Sequence, residues 1–419
     1  MEPRPDFDLT DPDCFVNSQP YELLRWMRQH APLERITDRQ GNAYWAVTKY
    51  SDMLRIYRDP LTFSSEGPIV MSIPTDPGGV GQSMIVSDPP RHRQLRGLAK
   101  WSFTPRAVAR WEELVRSTVR TLIAQAAEGG ECDFVIDIAT RLVVGVFFVI
   151  LGVPEADRER LAHLEDMITR LTDPEYQLGP VQGASPEQMA RETALHANRE
   201  MASYYTKLVE ERRRRGHEDD LIDLFAFGAI EGVALTRGEI LQNLSLLTAG
   251  GLETTINASG TGLYALLQNP DQLDRLRNDP AMVRPAIEEI LRYVTPTFHF
   301  LRTVARDTEM RGQQLRKGDL MALFLASANR DEEIFDQPER FDIGRTPNDH
   351  LAFGYGEHFC LGANLARMEL RVLMQELLPY LGRIELAGPV SRTRSVVVPG
   401  IKHLPIRFKP ADRSARRAA

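Results

Sequence analysis

Cys360 is the residue from which chemistry can first be read. It lies in Phe353-Gly-Tyr-Gly-Glu-His-Phe-Cys-Leu-Gly362, a glycine-rich loop running straight into Ala363 to Leu378, which has the spacing of an amphipathic helix. A helix N-terminus carries about half a positive charge and several unpaired N–H groups, so a sulfur held there is biased towards the thiolate that binds metal. Gly354, Gly356 and Gly362 let the backbone fold tightly and approach something flat and large. His358, two residues before the sulfur, can reach an anionic group at the edge of that object. One thiolate, a tight backbone and a cationic neighbour suit a single axial ligand to haem iron. The ordinary alternative is a buried structural cysteine in a turn.

Three other constellations could act with it. Thr236-Arg-Gly-Glu239 has the spacing of a capping box and opens an apolar pattern that runs to Leu267, where Asn269-Pro270 stops it. At about 1.5 Å per residue this helix spans roughly 50 Å. In its middle stands Ala249-Gly250-Gly251-Leu252-Glu253-Thr254-Thr255. Each interior glycine costs about 1 kcal/mol relative to alanine, and a groove in which the helix passes close to a ligand would offset that. An acid followed by a hydroxyl, Glu253-Thr254, suits proton delivery beside such a groove. The competing reading of Thr254 is a back-bond to a carbonyl one turn earlier. Glu289-Ile-Leu-Arg292 puts acid and base on one face of a helix over Arg284 to Tyr293. In Asp88-Pro-Pro-Arg-His-Arg-Gln-Leu-Arg96, His92 and Arg96 share a face and could pair two carboxylates.

Phe353-Gly354-x-Gly356-x-His358-x-Cys360-x-Gly362 resembles the haem-ligand signature of the cytochrome P450 family, six fixed positions in ten residues. The resemblance covers about 15 to 408, with the family's motifs in order. It implies a mainly α cytochrome P450 fold, a helical lobe with a small β-rich lobe, holding haem b (iron protoporphyrin IX) with Cys360 as axial thiolate. Phe353 and Gly354 would sit in the ligand loop, and Gly251 would line the haem groove. His92, Arg96, Arg302 and His358 match the family's propionate partners, and Glu253-Thr254 its oxygen-activation pair, with glutamate as the acid. Glu289 and Arg292, completed by Arg340 from Pro338-Glu-Arg-Phe341, resemble a buried structural triad that locks the cysteine loop.

The implied activity is insertion of one oxygen atom from O2 into a hydrophobic small molecule: a polyketide, terpenoid, steroid or fatty acid. Substrate contacts would come from loop 66–87, from Leu246, Leu247, Ala249 and Gly250, from Thr297 and Phe298, and from Val397 and Val398, with Ile69, Met71, Ile73, Met84 and Ile85 as apolar lining and His299 or Thr297 as a polar anchor. No flavin or iron–sulfur segment is visible, so electrons would come from a separate ferredoxin and its reductase, with Arg93 matching a docking position. The alternatives are a peroxide-driven hydroxylase, whose arginine–proline arrangement is absent here, a haem-thiolate sensor or carrier, which would need Cys360 but not Glu253 and Thr254, and a chain with no haem.

Composition agrees with an ordinary globular protein: 419 residues, 42% hydrophobic and 26% charged. A net charge of −7 argues against nucleic-acid binding and gives no membrane-attracting surplus. Three distant cysteines, Cys14, Cys132 and Cys360, form no disulfide framework and no zinc pair. The polar N-terminus lacks an apolar signal region, and the longest apolar run, Leu142 to Val153, falls short of the roughly twenty residues of a membrane span. The expectation is a cytoplasmic monomer, one domain over 1–419 with irregular residues 1–20 and a disordered tail from 411.

The elements needed to position the chemistry are a helix over Tyr21 to His30, a hairpin of Leu33–Thr37 and Ala43–Val47, a helix over Lys49 to Arg58, and helices from Pro105 to Gln268 interrupted near Asp173 to Pro186. Further β segments, Thr303 to Leu325 and Ser395 to Phe408, are expected to join the hairpin in one sheet region. The run Glu210 to Arg215 reads as a solvated helix end.

Overall fold

The Thr236 capping box forms as its spacing predicts. Its side chain accepts from the Glu239 N–H while Glu239 reaches back to the Thr236 N–H, starting a helix of 32 residues, Arg237–Gln268. This central helix carries Leu244, Leu252, Ile256 and Leu263 into the larger apolar core with Phe147, Ile290 and Leu373. A Cβ on Gly251 would overlap the Phe147 ring, and one on Gly262 would meet Ile290 at 2.6 Å. Close helix packing therefore accounts for Gly251, in place of the approach to a ligand expected of it. Gly250 faces open space and keeps that reading.

A computed structural model describes residues 3–71, 79–179, 183 and 185–410. Ile73 and the tail from 411 lie outside the described residues.

The helix Tyr21–His30 and the hairpin Leu33–Thr37/Ala43–Val47 stand where the alternation places them, with Leu33 opposite Val47. Leu320–Leu323 adds parallel to the second hairpin strand, Phe300–Val304 pairs antiparallel to it, and Phe63–Ser64 closes the edge of this five-stranded sheet. Arg302 is thereby fixed opposite Met321. A second apolar core lies beside this sheet, built from Phe15, Leu24, Met53, Phe298 and Phe324 among others. The C-terminal β segment does not join the sheet. Pro405–Phe408 pairs instead with Ile384–Leu386 and Glu131–Asp133, and Ile401–His403 pairs with Ser391–Arg392. Glu131–Asp133 is too short and polar to announce itself by alternation.

Two further expectations change. Cys14–Asn17 forms one helical turn within the supposedly irregular start. Arg212 is 4% exposed and binds Asp220 and Asp223 at 2.6 and 2.8 Å, so the basic run is not wholly solvated. The apolar run is longer as a helix than as a sequence: a π-helical stretch, Phe134–Thr140, leads into Arg141–Leu151, which Gly152 ends at φ 96°. Phe134–Leu151 is thus long and apolar enough to cross a membrane, with mean hydropathy 2.4, but 61% of it is buried inside the protein, as in a core helix.

Candidate active site around Cys360

The cysteine loop is shaped by two glycines and one backbone bond. Gly354 and Gly356 take φ of 68° and 73°, the left-handed region that disfavours any side chain. The Cys360 N–H donates to the Phe353 carbonyl at 2.9 Å, closing the loop, and Gly362 then caps the helix Ala363–Leu377. The Gly362 and Ala363 N–H groups face the sulfur, with Arg96 and Arg367 nearby. Burial nevertheless outweighs these four favourable groups and pushes the thiol up. The bias to thiolate expected from the helix terminus is therefore overridden in the protein alone. A metal cation at the sulfur would reverse the balance.

The loop is held from behind by the helix Val283–Val294. Arg292 donates to both Glu289 oxygens at 2.7 and 2.8 Å, and both side chains have 0% exposure. The third member is Arg345, not Arg340. Arg345 Nε reaches the Glu289 oxygens at 3.1 and 3.3 Å, whereas Arg340 offers its carbonyl to Arg292 and Arg345 at 3.2 and 3.0 Å. The chain reverses after Phe341, and the Asp342 N–H also donates to Glu289 at 2.9 Å, which brings the later arginine inward. Next to them, Glu288 is gripped by Arg367 and His350 at 2.8 and 3.1 Å, and Arg367 lies 4.4 Å over the Phe353 ring. The triad is thereby tied to the loop.

The anion-pairing residues come together as expected. His92, on the helix Arg91–Ala99, and His358 have ring centroids 4.0 Å apart. Arg96 donates to the Phe359 carbonyl at 2.7 Å, and Arg302 to the Leu301 carbonyl at 2.7 Å. Arg302 is 9% exposed and, among the described residues, has no ion pair. Its guanidinium lies 5.5 Å from the Tyr57 ring. His92 Nδ1, His358 Nε2 and Tyr57 Oη are buried and have no hydrogen-bond partner among the described residues. Burial and the surrounding cations lower His92 to about 4 and His358 to about 2. Buried polar atoms ordinarily find partners. Two guanidiniums, two imidazoles and a phenol are gathered here; an anion among them would favour the protonated, doubly donating imidazoles, so together they suit a flat dicarboxylate such as haem. Haem fits these residues. A cleft of about 690 Å³ opens beside three of them, Tyr57, His92 and Arg96, with Gly356 of the cysteine loop also in its lining. Tyr57 was not legible in the sequence, where it is one more amphipathic position.

On the central helix, Thr254 Oγ1 donates to the Gly250 carbonyl at 3.1 Å, on the exposed face. The back-bond is present, and it leaves the hydroxyl on the same open face as Gly250. Glu253 turns inward, 4% exposed, and is held by Arg170 Nη2 and Nε at 2.6 and 2.8 Å. Burial raises its carboxyl against the pull of Arg170. No motif marked Arg170.

Among the expected substrate contacts, Leu246, Ala249 and Thr297 are half-buried, Leu247 and Val398 buried. Phe298 is not available: it is 1% exposed, edge-on to Phe15 at 5.5 Å, and its N–H donates to the Val397 carbonyl at 2.8 Å, within the core beside the sheet. His299 is also committed. Its Nε2 accepts from the Met71 N–H at 2.9 Å and its Nδ1 faces the Val396 carbonyl at 3.1 Å, so it ties two loops together instead of anchoring a ligand. Arg93 is paired with Glu357.

The cytochrome P450 family profile matches residues 39–381. A methyl-branched lipid omega-hydroxylase of Mycobacterium bovis is 36% identical, over 87% of this chain and 84% of the relative. A steroid C26-monooxygenase of Mycobacterium tuberculosis is 34% identical, over 98% and 99%. Among solved structures, a Mycobacterium marinum cytochrome P450 in complex with pseudoionone superposes with a TM-score of 0.86 at 32% identity, covering 97% of this chain and 100% of that one.

Proposed function

Because this chain belongs to the cytochrome P450 family, we propose that it is a haem-thiolate monooxygenase that oxidises a hydrophobic small molecule, drawing electrons from a separate ferredoxin. The observation that carries the reading is the gathering, around a cysteine loop that opens a helix, of buried guanidinium, imidazole and phenol groups suited to two carboxylates, with Tyr57, His92 and Arg96 lining a cleft beside it.

Cys360 would hold the iron, and Arg96, Arg302, His92, His358 and Tyr57 the two propionates. When bound, haem supplies the redox chemistry: O2, two electrons and two protons yield one oxygen atom inserted into a C–H bond and one water. The chain supplies position and protons. Thr254 keeps a hydroxyl on the open face of the central helix. Burial raises the proton affinity of Glu253 while Arg170 opposes the rise, a balance suited to a group that must both take and release protons. The relatives' names, a steroid monooxygenase and a branched-lipid hydroxylase, support a bulky apolar substrate.

The ferredoxin would dock on the cysteine side. There Trp101 is 70% exposed, with the Lys100 amine 4.9 Å from its ring, and Tyr355 and Phe359 are also exposed. Arg58 lies 5.2 Å from Tyr355. An aromatic centre rimmed by cations suits an acidic partner.

Replacing Thr254 with alanine tests the proton assignment. With ferredoxin, reductase and a substrate found by a spin-shift screen, electron use should continue while product per electron pair falls several-fold and hydrogen peroxide rises. Unchanged coupling would overturn the role. Product formation with peroxide as efficient as with ferredoxin would favour the peroxide-driven alternative.

A further inference from the structure

Behind Glu253 lies a second ionic assembly that no motif marked. The turn Arg170–Tyr176 follows the helix Glu155–Thr169 and begins with the arginine that grips Glu253. It is internally tight: the Asp173 N–H donates to the Arg170 carbonyl at 2.8 Å, the Tyr176 N–H to the Asp173 carbonyl at 3.1 Å, and the Arg170 guanidinium lies 4.7 Å from the Tyr176 ring. Its outer side is fastened at Thr172 and Asp173 by Arg394, whose N–H donates to Asp173 Oδ2 at 2.9 Å and whose Nη1 donates to the Thr172 carbonyl, and beyond them by the strand Ile401–His403. Lys402 Nζ binds Asp173 and Glu175, each at 2.9 Å. His403 Nε2 lies 2.8 Å from Glu175 Oε1, and its Nδ1 lies 2.7 Å from Asp133 Oδ2 on the strand Glu131–Asp133.

A neutral imidazole has one N–H and one lone pair, so it can satisfy only one of two carboxylates. With both carboxylates ionised, contacts at both ring nitrogens require His403 to be doubly protonated. We propose that His403 is a positioning residue for Glu253: as an imidazolium bridging Asp133 and Glu175, it clamps the Arg170–Tyr176 turn and so fixes the arginine that holds the acid. The inference rests on the proton role proposed for Glu253.

The charged groups facing His403 are Asp133 from one strand, Glu175 from the turn and its neighbour Lys402. Asp173 lies behind Lys402, and Asp137 accepts the Asp133 N–H at 2.9 Å. Against the opposing effect of burial, the bonds with Asp133 and Glu175 raise the imidazole above its ordinary value. A group raised on folding contributes fully below its unfolded value and loses that contribution as pH rises through the folded value. The clamp is thus closed below the ordinary imidazole value, while its carboxylates stay ionised, and releases as pH rises through the raised one. At 34% exposure the imidazole is in exchange with bulk solvent.

Hydrogen exchange of the haem-loaded full chain, corrected for intrinsic rates and compared at about pH 6 and about pH 9, reads the clamp without turnover. In the wild type, protection of the Asp173 and Tyr176 amides should fall about tenfold at the higher pH, the effect of losing one hydrogen bond to a charged group. His403→Gln, with a fixed donor and acceptor, should show the lower protection at both values, and His403→Arg, charged throughout, should keep the higher protection at both. Product per electron pair should follow the same pattern, with an alkaline fall in the wild type that His403→Arg removes. Equal wild-type protection at both pH values, or an unchanged pH dependence in His403→Gln, would overturn the clamp. Exchange that responds while coupling does not would overturn its service to Glu253. Failure of the monooxygenase reading would look different: no product from the wild type at any pH, whatever the exchange.

Discussion

Arg292→Leu should destabilise the protein by about 3–5 kcal/mol, because it leaves Glu289 buried and charged with too few donors. Both side chains are wholly buried, and the guanidinium also serves the carbonyls of Asn329 and Pro338 at 2.8 and 2.9 Å. The neighbouring arginines make the expectation sharper. Arg345→Ala should cost about 2 kcal/mol, since it removes charge-assisted bonds to Glu289 while Arg292 remains. Arg340→Ala should stay within about 0.5 kcal/mol, because only its backbone carbonyl takes part. Denaturant midpoints of the three variants at unchanged slope would check the order. A larger loss for Arg340→Ala than for Arg345→Ala would contradict Arg345 as the third member of the triad.

The second large effect is expected at Arg302. Burial works against its charge, and among the described residues no carboxylate pairs with it. In the protein without haem, this desolvated cation is a liability, and an apolar side chain of similar reach relieves it. With haem bound, the same cation would face a propionate. Arg302→Leu should therefore weaken haem retention by about a hundredfold, in line with the 2–5 kcal/mol attached to one half of a buried charge pair. It should leave the haem-free protein as stable as the wild type or more so. Haem transfer to an acceptor protein measures the first quantity and denaturation of the apoprotein the second. A purely structural arginine would lower both stabilities together, and that result would contradict the assignment.

What could be read from the sequence, and what could not, follows from the range of the interactions involved. The Thr236 cap, the hairpin and the cysteine loop are specified by residues within about ten positions of one another, so periodicity and turn chemistry reach them. The triad is closed by a chain reversal that no local pattern encodes, so the resemblance of Pro338–Phe341 to the family segment points to Arg340 where the structure uses Arg345. Arg170 and Tyr57 lie 83 residues from Glu253 and some three hundred from His358, and their importance exists only once helices pack. The residue types of Phe298 and His299 suit a pocket, yet one is closed in by Phe15 and Phe324 and the other by two backbone groups. Gly251 shows the same limit: an interior glycine signals close approach, but only the packed structure says that the neighbour is Phe147.

The central claim is that the sulfur of Cys360 is the axial ligand. The spectrum of the reduced, carbon-monoxide-bound protein tests it most directly, read on the wild type beside Cys360→Ser. Thiolate ligation predicts a strongly red-shifted Soret band in the wild type and its loss in the serine variant. A band at the position typical of imidazole ligation, or a red-shifted band that survives the substitution, would contradict it.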